Sequence, residues 1–162
     1  MKTLIIYTSK HGSTEKIASY MKDKLQCDTV NLLNHQCPEL EDYEQVIIGG
    51  SIYYNSINPA ITELIEEKLD LLLTKRVALF LVCLMSEESA AEQFNNNYSE
   101  QLLNHSTADG FFGGILQQQE LNPIEKVVTS FVFKNVNVND DIYYDEVDRF
   151  IEALIIEDKV NS

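Results

Sequence analysis

Short apolar runs alternate with amphipathic segments along most of the chain. Residues 4–7, 45–51 and 77–83 are almost continuously hydrophobic, as in strands that are buried on both faces of a sheet. Residues 28–33 predict a short second strand, and the glycine-rich residues 108–116 predict a last one. The pattern therefore predicts five strands, of which the fourth in chain order is the most apolar.

The stretches between the strands carry apolar residues at helical spacing. The predicted helices cover residues 14–25, 58–73, 86–103 and 140–156. Asn58 is expected to cap the second helix, with Pro59 at its first position, and Ser86 to cap the third. This alternation predicts an α/β fold, a three-layer doubly wound sheet of five parallel strands in the order 2-1-3-4-5.

Length and charge narrow the classes of function. We expect one domain over residues 1–162, long enough for a sizeable core, with an extra segment at about residues 117–139. There are 26 acidic against 12 basic residues, and the net charge of −14 argues against nucleic acid or an anionic membrane as a partner. Such acidity is typical either of a well-solvated surface or of a protein that docks to a basic partner.

The rarer residue types predict a compartment but no metal site. The three cysteines have no metal-ligand spacing, and neither do the three histidines. No leader-like segment opens the sequence, and no apolar run has the length of a transmembrane segment. We therefore expect a cytoplasmic protein, while the pattern predicts no particular oligomeric state.

The first predicted strand ends in a loop, residues 8–14, in which hydroxyl groups surround one glycine. The candidate ligand-binding residues of this first loop are Ser9, Lys10, His11, Gly12, Ser13 and Thr14. Hydroxyls, backbone N–H groups and the positive end of the following helix together suit a phosphate group. The alternative is an ordinary strand–helix turn in which Ser13 or Thr14 caps the helix. Lys10 either pairs with the phosphate or faces solvent, and His11 is expected at the surface.

Two further loops are expected at the same edge of the sheet. The second loop, residues 51–58, supplies the candidates Ser51, Ile52, Tyr53, Tyr54 and Asn55. One tyrosine is expected to stack on a flat ring and the other to lie at the surface, while Asn55 or backbone amides bond the polar edge of the ring. Alternatively, one of the tyrosines covers the core. The third loop, residues 83–89, supplies the candidates Cys83, Leu84 and Met85.

These motifs resemble those of the flavodoxin family. Ser9, Gly12 and Thr14 match the family's phosphate loop, which has a hydroxyl residue, two variable positions, glycine, one variable position and threonine. Residues 47–54 resemble the family's third strand and the flavin-flanking loop after it. The resemblance implies FMN as the cofactor, bound by the candidates of the three loops, and electron transfer through the flavin to a redox partner protein. It implies no catalytic side chain.

Within the superfamily the chain is similar to the branch of menaquinone-dependent protoporphyrinogen oxidases. The likeness is carried by residues 1–5, 17–20, 48–54 and 113–116. The branch also has an extra segment where residues 117–139 stand, and residues 123–134 predict a short amphipathic helix there. In the oxidases this segment is basic and aromatic. Here its charged residues are two lysines and two glutamates, namely Lys126, Lys134, Glu120 and Glu125.

Three functions remain open at this point. The first is an FMN electron carrier that docks to a basic reductase surface, which the acidity and the non-basic extra segment favour. The second is an FMN-dependent protoporphyrinogen IX dehydrogenase with a quinone acceptor, which the family likeness favours. The third is a flavin-free interaction module of the same fold.

Overall fold

A computed structural model describes residues 1–10, 12–83, 89–114, 123–124 and 142–160. The strands in these ranges are β1 (Thr3–Thr8), β2 (Asp28–Asn31), β3 (Gln45–Tyr53), β4 (Ser56–Ile57), β5 (Arg76–Val82) and β6 (Asp109–Phe112). The helices are α1 (Ser13–Leu25), α2 (Pro59–Leu72), α3 (Ala90–Asn97), α4 (Glu100–His105) and α5 (Tyr144–Val160). A 3-10 turn, Leu40–Asp42, lies before β3.

The strands form one sheet with the order β2-β1-β3-β5-β6, and every pair on this path is parallel. The two-residue β4 pairs antiparallel to the end of β3 and lies off the path. Since β5 and β6 are the fourth and fifth predicted strands, the predicted fold class and strand order are confirmed. The register aligns Tyr7 with Asn31 on one side and with Gly49 on the other, so the three strands reach the carboxyl edge together.

Apolar side chains cover both faces of the sheet, because successive residues of a strand point to opposite sides. One cluster packs Ile6 and Ile48 against α2, α3 and α4. The other packs Ile5 and Ile47 against α1 and α5. These four strand side chains are fully buried. The arrangement of helices, sheet and helices confirms the predicted three layers and leaves the carboxyl edge to the loops.

The prediction of one continuous helix over residues 86–103 is wrong. α3 and α4 are separated by Tyr98, whose backbone is extended, and by Ser99, whose side chain caps α4. The ring of Tyr98 is buried, and its hydroxyl donates to the carbonyl oxygen of Phe80 at 3.1 Å. This polar anchor inside the sheet explains why the helix breaks here, although the apolar spacing continues.

Other boundaries shift by a few residues. β3 continues to Tyr53 because β4 folds back on it, whereas β2 stops at Asn31, whose side chain accepts a backbone N–H two residues further on. Asn58 caps α2 as predicted, its Oδ1 accepting a backbone N–H at 3.0 Å. β6 ends at Phe112, and the two glycines after it have no regular structure.

Several predictions fall outside the described residues. They concern the site candidates His11, Leu84 and Met85, the cap Ser86, and residues 115–122 and 125–141, which include nearly all of the extra segment. Among the helices that the structure does describe, none combines the length and the apolar character needed to cross a membrane.

Candidate functional site

The first loop turns tightly between β1 and α1. Gly12 has φ 84°, in the left-handed region, and stands at the N-cap of α1. Its N–H donates to the Oγ of Ser9 at 3.1 Å. Since the helix opens with Ser13 and Thr14 as its first residues, the alternative in which either of them caps the helix is wrong. The helix therefore presents its first-turn N–H groups and its positive dipole end at the carboxyl edge of the sheet.

A residue of the neighbouring strand holds this loop in place. The side chain of Asn31, at the end of β2, accepts the N–H of Ser9 at 3.3 Å and donates to the carbonyl oxygen of Ser9 at 3.2 Å. The same Oδ1 also accepts the N–H of Leu33 at 3.1 Å. We did not predict Asn31 as a site residue. Its signal in the sequence was a single amide within the predicted strand 28–33, and β2 in fact ends there, at the edge where parallel strands place their ligand-facing groups.

The first and second loops are joined by two hydroxyl groups. The Oγ1 of Thr14 and the Oγ of Ser51 are 2.6 Å apart, one donating to the other, and Thr14 is fully buried. The glycine before Ser51 leaves room for the hydroxyl of Thr8, because a Cβ at Gly50 would stand 2.7 Å from the Oγ1 of Thr8. The two hydroxyl-bearing parts of the predicted site are therefore in direct contact.

The second loop is a hairpin with a two-residue turn. Ile52 pairs with Ile57 and Tyr53 with Ser56, so Tyr54 and Asn55 form the turn. Both turn residues have positive φ, 51° and 61°, as a type I′ turn requires. Tyr53 is 41% exposed and Tyr54 is 59% exposed, so neither ring covers the core. We call residues 53–55 the aromatic turn; the stacking role of its tyrosines stays a prediction.

Two buried amide side chains of helix α3 form hydrogen bonds with the hairpin of the second loop. The Nε2 of Gln93 donates to the Oδ1 of Asn55 at 3.1 Å, and the Nδ2 of Asn97 donates to the carbonyl oxygen of Asn55 at 3.2 Å. The Oδ1 of Asn97 accepts the N–H of Ile57 at 2.6 Å. We predicted neither amide, because a glutamine and an asparagine on a polar helix ordinarily face solvent. The Oδ1 of Asn55 is held by Gln93, and the predicted contact of Asn55 with the polar edge of a ring stays a prediction.

The third loop contributes one described candidate. Cys83 is buried at the carboxyl end of β5, and its N–H donates to the carbonyl oxygen of Phe112 at 3.2 Å. Its thiol lies beside the carboxyl edge of the sheet, next to the strand that carries the aromatic turn. Lys10 is exposed in the first loop, and its pairing with an anion stays a prediction.

The chemistry of this edge suits an anion held by neutral donors. Hydroxyls of Ser9, Thr14 and Ser51 stand close to the N-terminus of α1, a combination that binds phosphate groups through hydrogen bonds and the helix dipole. Burial, together with the charge of Glu15, raises the pKa of Tyr7, whose hydroxyl is therefore protonated at neutral pH. In the part of the chain that the structure describes, no histidines, cysteines and carboxylates are grouped to hold a metal ion.

Comparison with known proteins gives a family and several relatives. A family model described as "Flavodoxin domain" matches residues 4–142. The protoporphyrinogen IX dehydrogenase [quinone] of Escherichia coli (strain K12) is 32% identical over 113 residues, which are 65% of this chain and 62% of that protein. The protein of the same name from Leishmania major is 28% identical over 144 residues, 82% of this chain and 62% of that protein. The chain thus matches less than two thirds of the length of these relatives.

Solved structures agree with the fold. Oxidised flavodoxin 1 from Bacillus cereus superimposes with a TM-score of 0.52 at 14% identity, covering 84% of this chain and 99% of that chain. A flavodoxin from Fusobacterium nucleatum bound to flavin mononucleotide gives a TM-score of 0.50 at 18% identity, covering 70% and 72%. At these identities the likeness shows the arrangement of strands and helices and not the ligand.

Proposed function

The chain belongs to the flavodoxin domain family, and from that premise we propose that it binds FMN and transfers electrons through the bound flavin. The observation that supports this most is the contact between Thr14 and Ser51, at 2.6 Å. It joins a hydroxyl-rich helix N-terminus, which suits a phosphate, to a hairpin that displays two exposed aromatic rings, which suit a flat ring system.

The residues divide into two groups in this proposal. The phosphate is held by the hydroxyls of Ser9, Ser13, Thr14 and Ser51, by backbone N–H groups around Gly12, and by Lys10 and His11 where these reach it. The ring is flanked by Ile52, Tyr53, Tyr54 and Asn55 on one side, with Cys83, Leu84 and Met85 toward the other. The donor set fits, because it offers many neutral hydrogen-bond donors and few carboxylates to a dianionic group.

When bound, the flavin supplies the electron transfer, and the protein's part is to position it and to set its environment. No side-chain acid or base is needed for that role, so we assign no catalytic residue. The net charge of −14 disfavours added negative charge on a ligand at this edge. The same charge speeds the encounter with a basic redox partner. The described cysteines form no disulfide with one another, which supports a reducing, cytoplasmic location.

A titration of the purified apoprotein with FMN tests the proposal. We expect one FMN per chain, a visible absorption band that is released on denaturation, and a Kd that Thr14→Val raises by about tenfold or more through loss of a hydrogen bond to a charged group. Thr62→Val is the matched control, since that hydroxyl donates only to the carbonyl oxygen of Pro59 on the surface of α2. Protein that shows no absorption band of bound flavin, even after exposure to excess FMN, would contradict the proposal and favour the flavin-free module.

A second candidate is the oxidation of protoporphyrinogen IX with a quinone as acceptor. It is favoured by the 32% identity to the dehydrogenase of that name from Escherichia coli. The assay supplies protoporphyrinogen IX and menadione to the FMN-loaded protein and follows porphyrin fluorescence. Turnover well above that of free FMN is expected if the candidate is right, whereas a rate equal to that of free FMN leaves the electron carrier.

A further inference from the structure

Helix α3 carries two buried amide side chains. Gln93 and Asn97 are 2% and 9% exposed, although the helix also offers exposed positions to polar residues. They are one helical turn apart and linked, since the Nδ2 of Asn97 donates to the carbonyl oxygen of Gln93 at 2.8 Å. Burying an amide is unfavourable unless its hydrogen bonds are made, so two such residues side by side point to a common task.

Their partners lie in the hairpin of the second loop. The two amides donate to the side chain and to the carbonyl oxygen of Asn55, at 3.1 and 3.2 Å. The N–H of Ile57 donates to the Oδ1 of Asn97 at 2.6 Å. These bonds bracket the segment between Asn55 and Ile57. The peptide group after Asn55 therefore keeps one orientation, because rotating it would break the bond from Asn97.

The turn that they hold needs support. A residue other than glycine in the left-handed region costs roughly 1 kcal/mol, and Tyr54 and Asn55 occupy that region in succession. Strained backbone of this kind persists where surrounding contacts determine it, and it concentrates at ligand-binding sites. Here the surrounding contacts come from α3, which in turn follows the third loop directly along the chain.

We propose that Gln93 and Asn97 are positioning residues for the flavin ring: they lock the aromatic turn in the conformation that presents Tyr53 and Tyr54 to the isoalloxazine. This rests on the proposed FMN function. It goes further by assigning part of the ring's affinity to two side chains outside the three loops. It also links the second loop to α3, the helix that follows the third loop along the chain. A change in the conformation of α3 would therefore shift the second loop.

The test distinguishes binding of the flavin ring from binding of the phosphate group. Apoprotein with Asn97→Asp is titrated with FMN, with riboflavin, which lacks the phosphate, and with inorganic phosphate as a competitor of FMN. A carboxylate at this position keeps an acceptor for Ile57 but loses the donor to the carbonyl oxygens of Asn55 and Gln93. We expect the Kd of both flavins to rise about tenfold or more, because two buried hydrogen bonds are lost, while the Kd of phosphate stays within about twofold. Quenching of flavin fluorescence on binding should also weaken.

Asn96→Asp is the matched control, because it makes the same substitution at an exposed position one residue earlier on the same helix. Equal losses for the flavins and for phosphate, or losses no larger than in the control, would overturn the inference. Wild-type protein that takes up no FMN would instead overturn the proposed function. A second variant, Gln93→Met, guards against misfolding, since it keeps the buried volume and removes the donor to Asn55.

One readout needs no ligand at all. In the apoprotein, amide hydrogen exchange at Ile57 reports the bond that Asn97 accepts. Asn97→Ala removes that acceptor, and faster exchange at Ile57 than at the core amides of the sheet in this variant places the effect in the hairpin. Exchange as slow as in the wild type would show that α3 does not hold the turn.

Discussion

The first loop and the aromatic turn lie side by side, yet they reach their shapes in different ways. The first loop has Gly12 in the left-handed region, and the N–H of Gly12 donates to the side chain of Ser9, three residues away. The aromatic turn places Tyr54 and Asn55, neither of them glycine, in the same backbone region. The first loop therefore adopts its shape with little strain, whereas the turn needs contacts from elsewhere.

The source of those contacts is the main difference. The first loop has contacts within its own sequence, such as the bond between Gly12 and Ser9, and contacts with the two adjacent strands through Asn31 and Ser51. The aromatic turn depends on α3, about 40 residues further along the chain, as the bond between Gln93 and Asn55 illustrates with its separation of 38 residues. The first loop should therefore keep its shape when residues elsewhere in the protein change. The aromatic turn should change shape when α3 changes.

The largest expected effect comes from the glycine beneath both regions. A Cβ at Gly49 would stand 2.3 Å from the carbonyl oxygen of Phe80, so Gly49→Ala must push β3 and β5 apart. We expect the free energy of unfolding to fall by about 3 kcal/mol, the upper part of the range for overpacked cores. Chemical denaturation followed by circular dichroism measures it. A loss below about 1 kcal/mol would mean that the sheet has room at this point.

Asn31→Ala should affect the first loop and not the aromatic turn, because the side chain of Asn31 bonds Ser9 of the first loop. Three hydrogen bonds to Ser9 and Leu33 are lost, and we expect unfolding to become easier by about 2 kcal/mol. Phosphate should also bind more weakly, while riboflavin binding stays the same. Asn34→Ala, at an exposed position three residues later, serves as the control. Equal weakening of riboflavin would show that the loops do not act separately.

The same difference explains which parts could be predicted from the sequence. Continuous apolar runs and short-range signals, such as Asn58 before Pro59 or the hydroxyls around Gly12, are local, and they predicted the strand order, the three layers and the first loop. Tyr98 breaks a helix because its hydroxyl finds a carbonyl oxygen of β5, and Gln93 is buried because the turn stands opposite. Helical spacing contains no information about either partner, since both lie far away in sequence.

A smaller effect concerns the left-handed residue of the first loop. Gly12→Ala keeps φ 84° only at a cost, and we expect a loss of about 1 kcal/mol in the free energy of unfolding. Gly12→Asn is the matched control, because asparagine tolerates this region and should lose less. Denaturation of both variants measures the difference. If alanine and asparagine lose the same amount, the requirement at this position is for the absence of a side chain rather than for the backbone angle.

The smallest effect has the opposite sign and addresses the aromatic turn. Tyr54→Asn keeps the positive φ of 51° with a residue that accepts it more readily, and the ring removed is mostly exposed. We therefore expect the apoprotein to gain about 0.5 kcal/mol while its affinity for flavin falls. Tyr53→Asn, next to it on the extended end of β3, should lose flavin affinity without any gain in stability. A gain in both variants, or a loss in Tyr54→Asn, would show that the turn carries no strain for α3 to hold. If the free energy of unfolding rises in Tyr54→Asn alone, Tyr54 lowers the stability of the apoprotein, as expected of a residue whose ring contacts a ligand.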